Sequence, residues 1–154
     1  MIGADQTGLH ETQDSNPNPY GAVYALSGRD IIPWGVRGLD DAHLQITGPD
    51  HSLFGNTVSG LGDIDGDGLT DFIVGAPTDG TEDAESKAYI FYGGRSYSVA
   101  SDADITIAIE PTPENRIELA NIGDVNDDGR SDVLLGGTGL QAHAYLFWGG
   151  LTLR

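Results

Sequence analysis

The chain has 154 residues, long enough for one hydrophobic core, and its 24 acidic against 7 basic side chains leave a net charge of −17. Nucleic acids and anionic membrane surfaces need basic patches, so this balance argues against both and suits a solvated surface with bound cations. Without cysteine, disulfides, thiolate metal sites and cysteine nucleophiles are excluded, and no apolar run reads as a membrane span or a signal peptide.

In chain order, Ile2-Gly3-Ala4-Asp5 is similar to Val74-Gly75-Ala76-Pro77 further on and reads as the tail of a strand. Residues 5 to 20 are polar, with Asn16-Pro17-Asn18-Pro19 as a rigid turn, and read as a loop or as low-complexity disorder. Gly21 to Gly28, GAVYALSG, is a strand by β-propensity and glycine boundaries. It recurs as Ala88 to Gly94 and as Ala144 to Gly150. His43 to Thr47 and Asp104 to Ile109 read as the strands that follow, the latter alternating Ile105, Ile107 and Ile109 on one face. Two further strands run from about Asn56 to Gly62 and from Ile117 to Gly123. No stretch makes a convincing amphipathic helix.

Between Gly62 and Pro77 the chain reads GDIDGDGLTDFIVGAP. Asp63, Asp65, Asp67 and Asp71 take positions 1, 3, 5 and 9 of a nine-residue loop, with Gly66 and Gly68 where the backbone turns sharply. Four carboxylates this close repel one another unless a hard cation with six to eight oxygen ligands sits among them, which points to Ca²⁺. At position 7 the side chain of Leu69 cannot ligate, so its backbone carbonyl is the expected donor. A helix-loop-helix Ca²⁺ site needs a glutamate at position 12, and here that residue is Val74 within an apolar β-favouring run. The loop therefore joins two strands. A solvated acidic turn is the plainer reading, but a turn alone does not call for a carboxylate at every odd position.

Gly123 to Gly137, GDVNDDGRSDVLLGG, repeats the loop 61 residues on, with Asp124, Asn126, Asp128, the Arg130 carbonyl and Asp132 at the same five positions. Repetition on this scale indicates a solenoid, propeller or array. Phe54-Gly55, the Asp-rich loop and Gly75-Ala76-Pro77 together resemble an FG-GAP repeat, the blade unit of the integrin α-subunit β-propeller. The second copy departs from it, with Asn115-Arg116 in place of Phe-Gly and Gly136-Gly137-Thr138 in place of Gly-Ala-Pro.

The resemblance implies an all-β chain, a partial β-propeller of about two and a half to three four-stranded antiparallel blades. Residues 1–154 form one array: an incomplete first blade over 1–50, a complete blade over 51–112 and an incomplete last blade over 113–154. Ca²⁺ loops join first to second strands. Two Ca²⁺ per chain are expected. The array is shorter than the 4–8 blades of a closed propeller, so either two chains meet head to tail as a ring or the charge keeps single copies apart.

No catalytic constellation is evident. His10, His43, His51 and His143 fall in unrelated contexts without zinc-ligand spacing, and Tyr89, Phe91, Tyr145 and Phe147 sit at repeated positions that argue for packing. The expected function is a non-catalytic, calcium-binding module for extracellular protein interaction or adhesion, its partner a protein or a glycan. Ligand contacts would come from the ends opposite the Ca²⁺ loops, residues 5 to 20, 49 to 55, 78 to 87, 110 to 116 and 138 to 141. The alternatives are an accessory propeller of a larger secreted hydrolase, as in the glycosylphosphatidylinositol-specific phospholipase D family, and a glycan-binding propeller lectin. Trp34 and Trp148 hold no equivalent repeat positions, which counts against the lectin.

Overall fold

The structure is a computed structural model that describes residues 2–5 (backbone only), 21–25, 42–78, 85–109, 117–137 and 143–150. Ten strands form in these residues: β1 Ile2–Asp5, β2 Ala22–Ala25, β3 Leu44–Thr47, β4 Thr57–Gly62, β5 Asp71–Ala76, β6 Ser86–Phe91, β7 Ile105–Ile109, β8 Ile117–Gly123, β9 Asp132–Gly137 and β10 Ala144–Phe147. They make three sheets of consecutive antiparallel strands, β1-β2-β3, β4-β5-β6-β7 and β8-β9-β10. The chain is all-β, a partial β-propeller, as its repeats imply. The one helical turn among the described residues is a 3₁₀ turn at Ala100–Asp102. Leu26 to Gly28, Trp34 and Asn115-Arg116 lie outside the described residues.

Because side chains alternate across a strand, each sheet presents two faces, and the middle sheet buries both. Val23 and Ile46 of the first sheet meet Phe72, Val74, Tyr89 and Phe91 of the second in one apolar cluster. The opposite face of the second sheet, with Ile73, Ala88 and Ile90, meets Ile117, Val133 and Leu135 of the third in another. All six residues of β5 are therefore buried, which is why its sequence runs apolar instead of alternating.

The Phe-Gly and Gly-Ala-Pro elements meet physically. Gly55 N donates to Gly75 O at 3.1 Å and Leu53 N to Pro77 O at 2.8 Å. Gly55 has a left-handed φ of 86°, and Phe54, fully buried, turns its ring edge onto Tyr89 at 5.7 Å between centroids. At Gly75 a Cβ would come within 2.5 Å of the Thr57 methyl, so the neighbouring strand leaves room only for hydrogen there. In the third sheet Gly136, at the Gly75 position, has ordinary clearance of 3.7 Å to its nearest neighbour. That position tolerates a looser motif.

Candidate metal centre

The loop from Asp63 to Thr70 bridges β4 and β5, and its carboxylates are first of all backbone acceptors. Asp63 Oδ1 accepts from Gly66 N at 2.6 Å and Asp67 N at 3.1 Å, while Oδ2 accepts from Gly68 N at 2.8 Å. Asp65 Oδ1 accepts from Asp67 N at 3.0 Å, and Asp67 Oδ1 from Leu69 N at 2.8 Å. Gly66 and Gly68, with φ of 88° and 86°, supply the left-handed corners that let these donors turn inward.

Asp71 behaves differently. It is fully buried at the start of β5, and its two oxygens accept from Ile64 N at 2.8 Å and Gly93 N at 2.7 Å. One carboxylate thus ties the loop to the turn leaving β6. Burial pushes its acidity toward higher pH, and nearby Asp65 and Asp67 push the same way; the two N–H donors oppose them.

Oxygens of Asp63, Asp65 and Asp71 lie within 4.8 Å of one another. Two ligands on one Ca²⁺, each about 2.3–2.6 Å from the ion, are separated by up to roughly 5 Å, so these three side chains fit such an ion. Asp67 stands outside that trio and is exposed. The Leu69 side chain is 48 % exposed, in keeping with a residue that would offer only its carbonyl.

The second loop repeats this frame with less charge. Asp132 is fully buried and accepts from Val125 N at 2.9 Å and Gly149 N at 2.8 Å, as Asp71 does from its own pair. Asp124 accepts from Asp128 N and Gly129 N at 3.0 and 2.7 Å. Asn126 changes the interior, because its amide Nδ2 donates to Asp128 Oδ2 at 2.9 Å where the first loop sets Asp65 against Asp67. An attractive hydrogen bond replaces a repulsion, so this loop closes with less need of a cation. Asp127 is exposed and takes the left-handed position that Gly66 fills in the first copy, with φ of 63°.

Two arginines border the first loop that its own spacing does not announce. Arg95 pairs with Asp104, lies 4.0 Å from Asp65 Oδ2 and stands 4.9 Å above the Tyr92 ring. Arg130 packs its guanidinium against Gly66, where a Cβ would come within 3.3 Å of Nε. The third sheet also clamps the loop through backbone: Gly150 N donates to Ile64 O at 2.7 Å and Ser131 N to Asp63 O at 3.4 Å. The Gly-Gly pairs at 93–94 and 149–150 were the available signal for the anchoring turns.

Consecutive antiparallel sheets of three, four and three strands, packed through their apolar faces, the second and third carrying the same Asp-rich loop between their first two strands, define a β-propeller repeat protein. Residues 54–91 match the FG-GAP repeat, so the chain carries an FG-GAP repeat. It is 32% identical over 121 residues to phosphatidylinositol-glycan-specific phospholipase D of Bos taurus, covering 75% of this chain and 14% of that protein. Integrin alpha-4 of Xenopus laevis is 28% identical over 118 residues, 66% of this chain and 10% of the integrin. Integrin alpha-X of Mus musculus is 33% identical over 91 residues, 56% of this chain and 8% of the integrin. The chain thus spans 14% or less of the length of these relatives.

Proposed function

We propose that the chain is a Ca²⁺-stabilised, non-catalytic propeller module of an extracellular or cell-surface protein, serving protein interaction or adhesion. The observation that carries this reading is the convergence of Asp63, Asp65 and Asp71 oxygens within 4.8 Å on a strand-joining loop. Ca²⁺ there would offset the repulsion among these carboxylates and fasten β4 to β5. Asp63, Asp65, Asp67, the Leu69 carbonyl and Asp71 would hold one ion; Asp124, Asn126, Asp128, the Arg130 carbonyl and Asp132 would hold a second. Extracellular modules bind Ca²⁺ at about 10⁻⁴–10⁻³ M, so such sites fill outside cells and stay largely empty in a cytosol. Calorimetric titration tests this: two ions are expected, the tighter at the four-carboxylate loop, and a single site or the reverse order would contradict it.

Similarity to phosphatidylinositol-glycan-specific phospholipase D favours a second reading, an accessory propeller beside a hydrolase domain. Binding of the purified chain to glycan arrays, with and without Ca²⁺, separates a lectin from either.

We propose further that copies associate head to tail. Ile73 and Ile90, paired across β5 and β6, are 0% and 3% exposed beneath the third sheet. Their equivalents Leu134 and Leu146, paired across β9 and β10, are 40% and 43% exposed. An apolar face with a buried counterpart one blade back favours another blade as its cover. Two chains would make a six-blade ring, within the range of closed propellers. Light scattering in millimolar Ca²⁺ is expected to show a dimer; a monomer at every concentration would refute the ring.

A further inference from the structure

The first loop has a protein cation beside it. Arg95 follows the Gly93-Gly94 turn, whose Gly93 N donates to Asp71 at 2.7 Å, so the staple that closes the loop also delivers the arginine to it. Two partners hold the guanidinium there: Asp104 pairs with Nη1, and the Tyr92 ring lies 4.9 Å beneath. Asp104 is fixed in turn, because its Oδ2 accepts from Tyr92 N at 2.9 Å and from the hydroxyl of buried Tyr97. A long side chain that is 51% exposed is thereby held in place.

In that place Arg95 faces the loop. Its Nη2 stands 4.0 Å from Asp65 Oδ2, while Asp65 Oδ1 accepts from Asp67 N at 3.0 Å. One oxygen of Asp65 thus serves the loop backbone and the other faces the guanidinium. Arg130 reaches the same loop at Gly66 from the third sheet. Two of the 7 basic side chains in a molecule with 24 acids therefore border one loop, which concentrates positive charge where the aspartates crowd. The second loop meets its own crowding differently, with the Asn126 amide bonded to Asp128.

We propose, as an extension that rests on Ca²⁺ binding at this loop, that Arg95 is its affinity-setting residue. It is a fixed counter-charge that eases the repulsion on Asp65 and so raises the Ca²⁺ concentration at which the loop fills. An ion about 2.3–2.6 Å from Asp65 Oδ2 would lie within roughly 7 Å of the guanidinium, inside the screening length of about 8 Å in physiological salt. At about 6 Å in a water-like dielectric, a unit charge and a divalent ion repel enough to change affinity roughly tenfold, which screening reduces to about threefold. A purely structural arginine has the opposite sign. Its removal would strip Asp104 of a partner and loosen the Gly93 turn, and the ion would bind more weakly.

The test titrates the full chain with Ca²⁺, the backbone amide shifts of Gly66 and Gly68 reporting the first loop and that of Gly129 the second. Arg95→Gln removes the charge and should lower the Kd read at Gly66 and Gly68 by about threefold to tenfold, with little change at Gly129. Arg95→Met should do the same without placing an amide beside Asp104. In 1 M salt, where the screening length is about 3 Å, the difference should shrink below about twofold. Lys87→Gln removes an equal charge at the register partner of Ala76, about 16 Å along β5 from Asp71, and should leave both curves unmoved. In melts, saturating Ca²⁺ should raise the Tm of Arg95→Gln by about 2–4 °C more than it raises that of the unmutated chain. An unchanged or raised Kd at the first loop, or an equal fall in Lys87→Gln, would overturn the role of Arg95 and leave Ca²⁺ binding standing. Amides of Gly66 and Gly68 that ignore Ca²⁺ in every variant would overturn Ca²⁺ binding at the loop, and the role of Arg95 with it.

Discussion

Replacing Asp71 by alanine separates the scaffold of the loop from its metal chemistry. The buried carboxylate accepts from Ile64 N, in a buried bond, and from Gly93 N, in a partly buried one. Hydrogen bonds to a charged group contribute about 1.5–3 kcal/mol each, and a buried donor left without an acceptor carries its own desolvation penalty. Asp71→Ala should therefore cost about 4 kcal/mol, a fall in Tm of roughly 12 °C for a chain of this size. Most of that loss should persist in excess chelator, because the lost partners are backbone N–H groups and not an ion. Thermal and urea melts with Ca²⁺ and with chelator measure it. A loss below about 1 kcal/mol in chelator, together with a large loss in Ca²⁺, would mean that Asp71 acts only as a ligand and that the staple argument is wrong.

Asp67→Ala should show the opposite pattern, since the exposed Asp67 carboxylate accepts, among the described residues, from Leu69 N: little change in chelator, and in Ca²⁺ a loss approaching the ion's contribution, about 2.7 kcal/mol at a hundredfold excess over Kd. Chelation of the unmutated chain should lower the Tm well beyond the effect of an equal rise in ionic strength. Tyr97 is expected to make the fold sensitive to alkali. Burial first, then the bond to Asp104, raise its phenol above the ordinary value of 10.0, so the folded chain keeps a proton that the unfolded chain has lost. Stability then falls as pH rises beyond about 10, and Tyr97→Phe should flatten that part of the pH–stability curve. Asp127→Gly relieves a left-handed backbone at φ 63° and should raise stability by about 0.5–1 kcal/mol, read in the same melts.

Strand positions and sheet order were legible because three signals coincide in the sequence: repetition, apolar β-favouring runs and glycine at the turns. Gly93 shows how a boundary is set, since the turn ends β6 at Phe91 and places its own N–H on Asp71. The ninth-position role was not legible. Spacing puts a carboxylate at Asp71 and Asp132, but their anchoring partners stand 22 and 17 residues downstream, and only the folded sheet brings them together. Arg95 and Arg130 were hidden for the same reason. Arg130 was expected to matter through its carbonyl, yet its side chain reaches across to Gly66 of the neighbouring loop.

The two loops, taken together, indicate which residues form the frame and which tune it. Their ninth-position aspartates are identical in burial and in hydrogen bonding, whereas the third position is Asp65 in one and Asn126 in the other. If the ion alone shaped the loop, losing a carboxylate at the third position should disturb the frame. Instead Asn126 accepts from Asp128 N at 3.1 Å as Asp65 accepts from Asp67 N at 3.0 Å, and the path of the backbone survives. The aspartate at position nine and the turn geometry thus set the loop, and the charge at position three is free to set how strongly it attracts a cation. If both loops bind a cation as proposed, their affinities would then be graded by one atom, an oxygen in one copy and an amide nitrogen in the next. Asn126→Asp should accordingly tighten the second site toward the first without moving its strands, and a titration in which the two sites remain as far apart as before would show that position three does not control affinity.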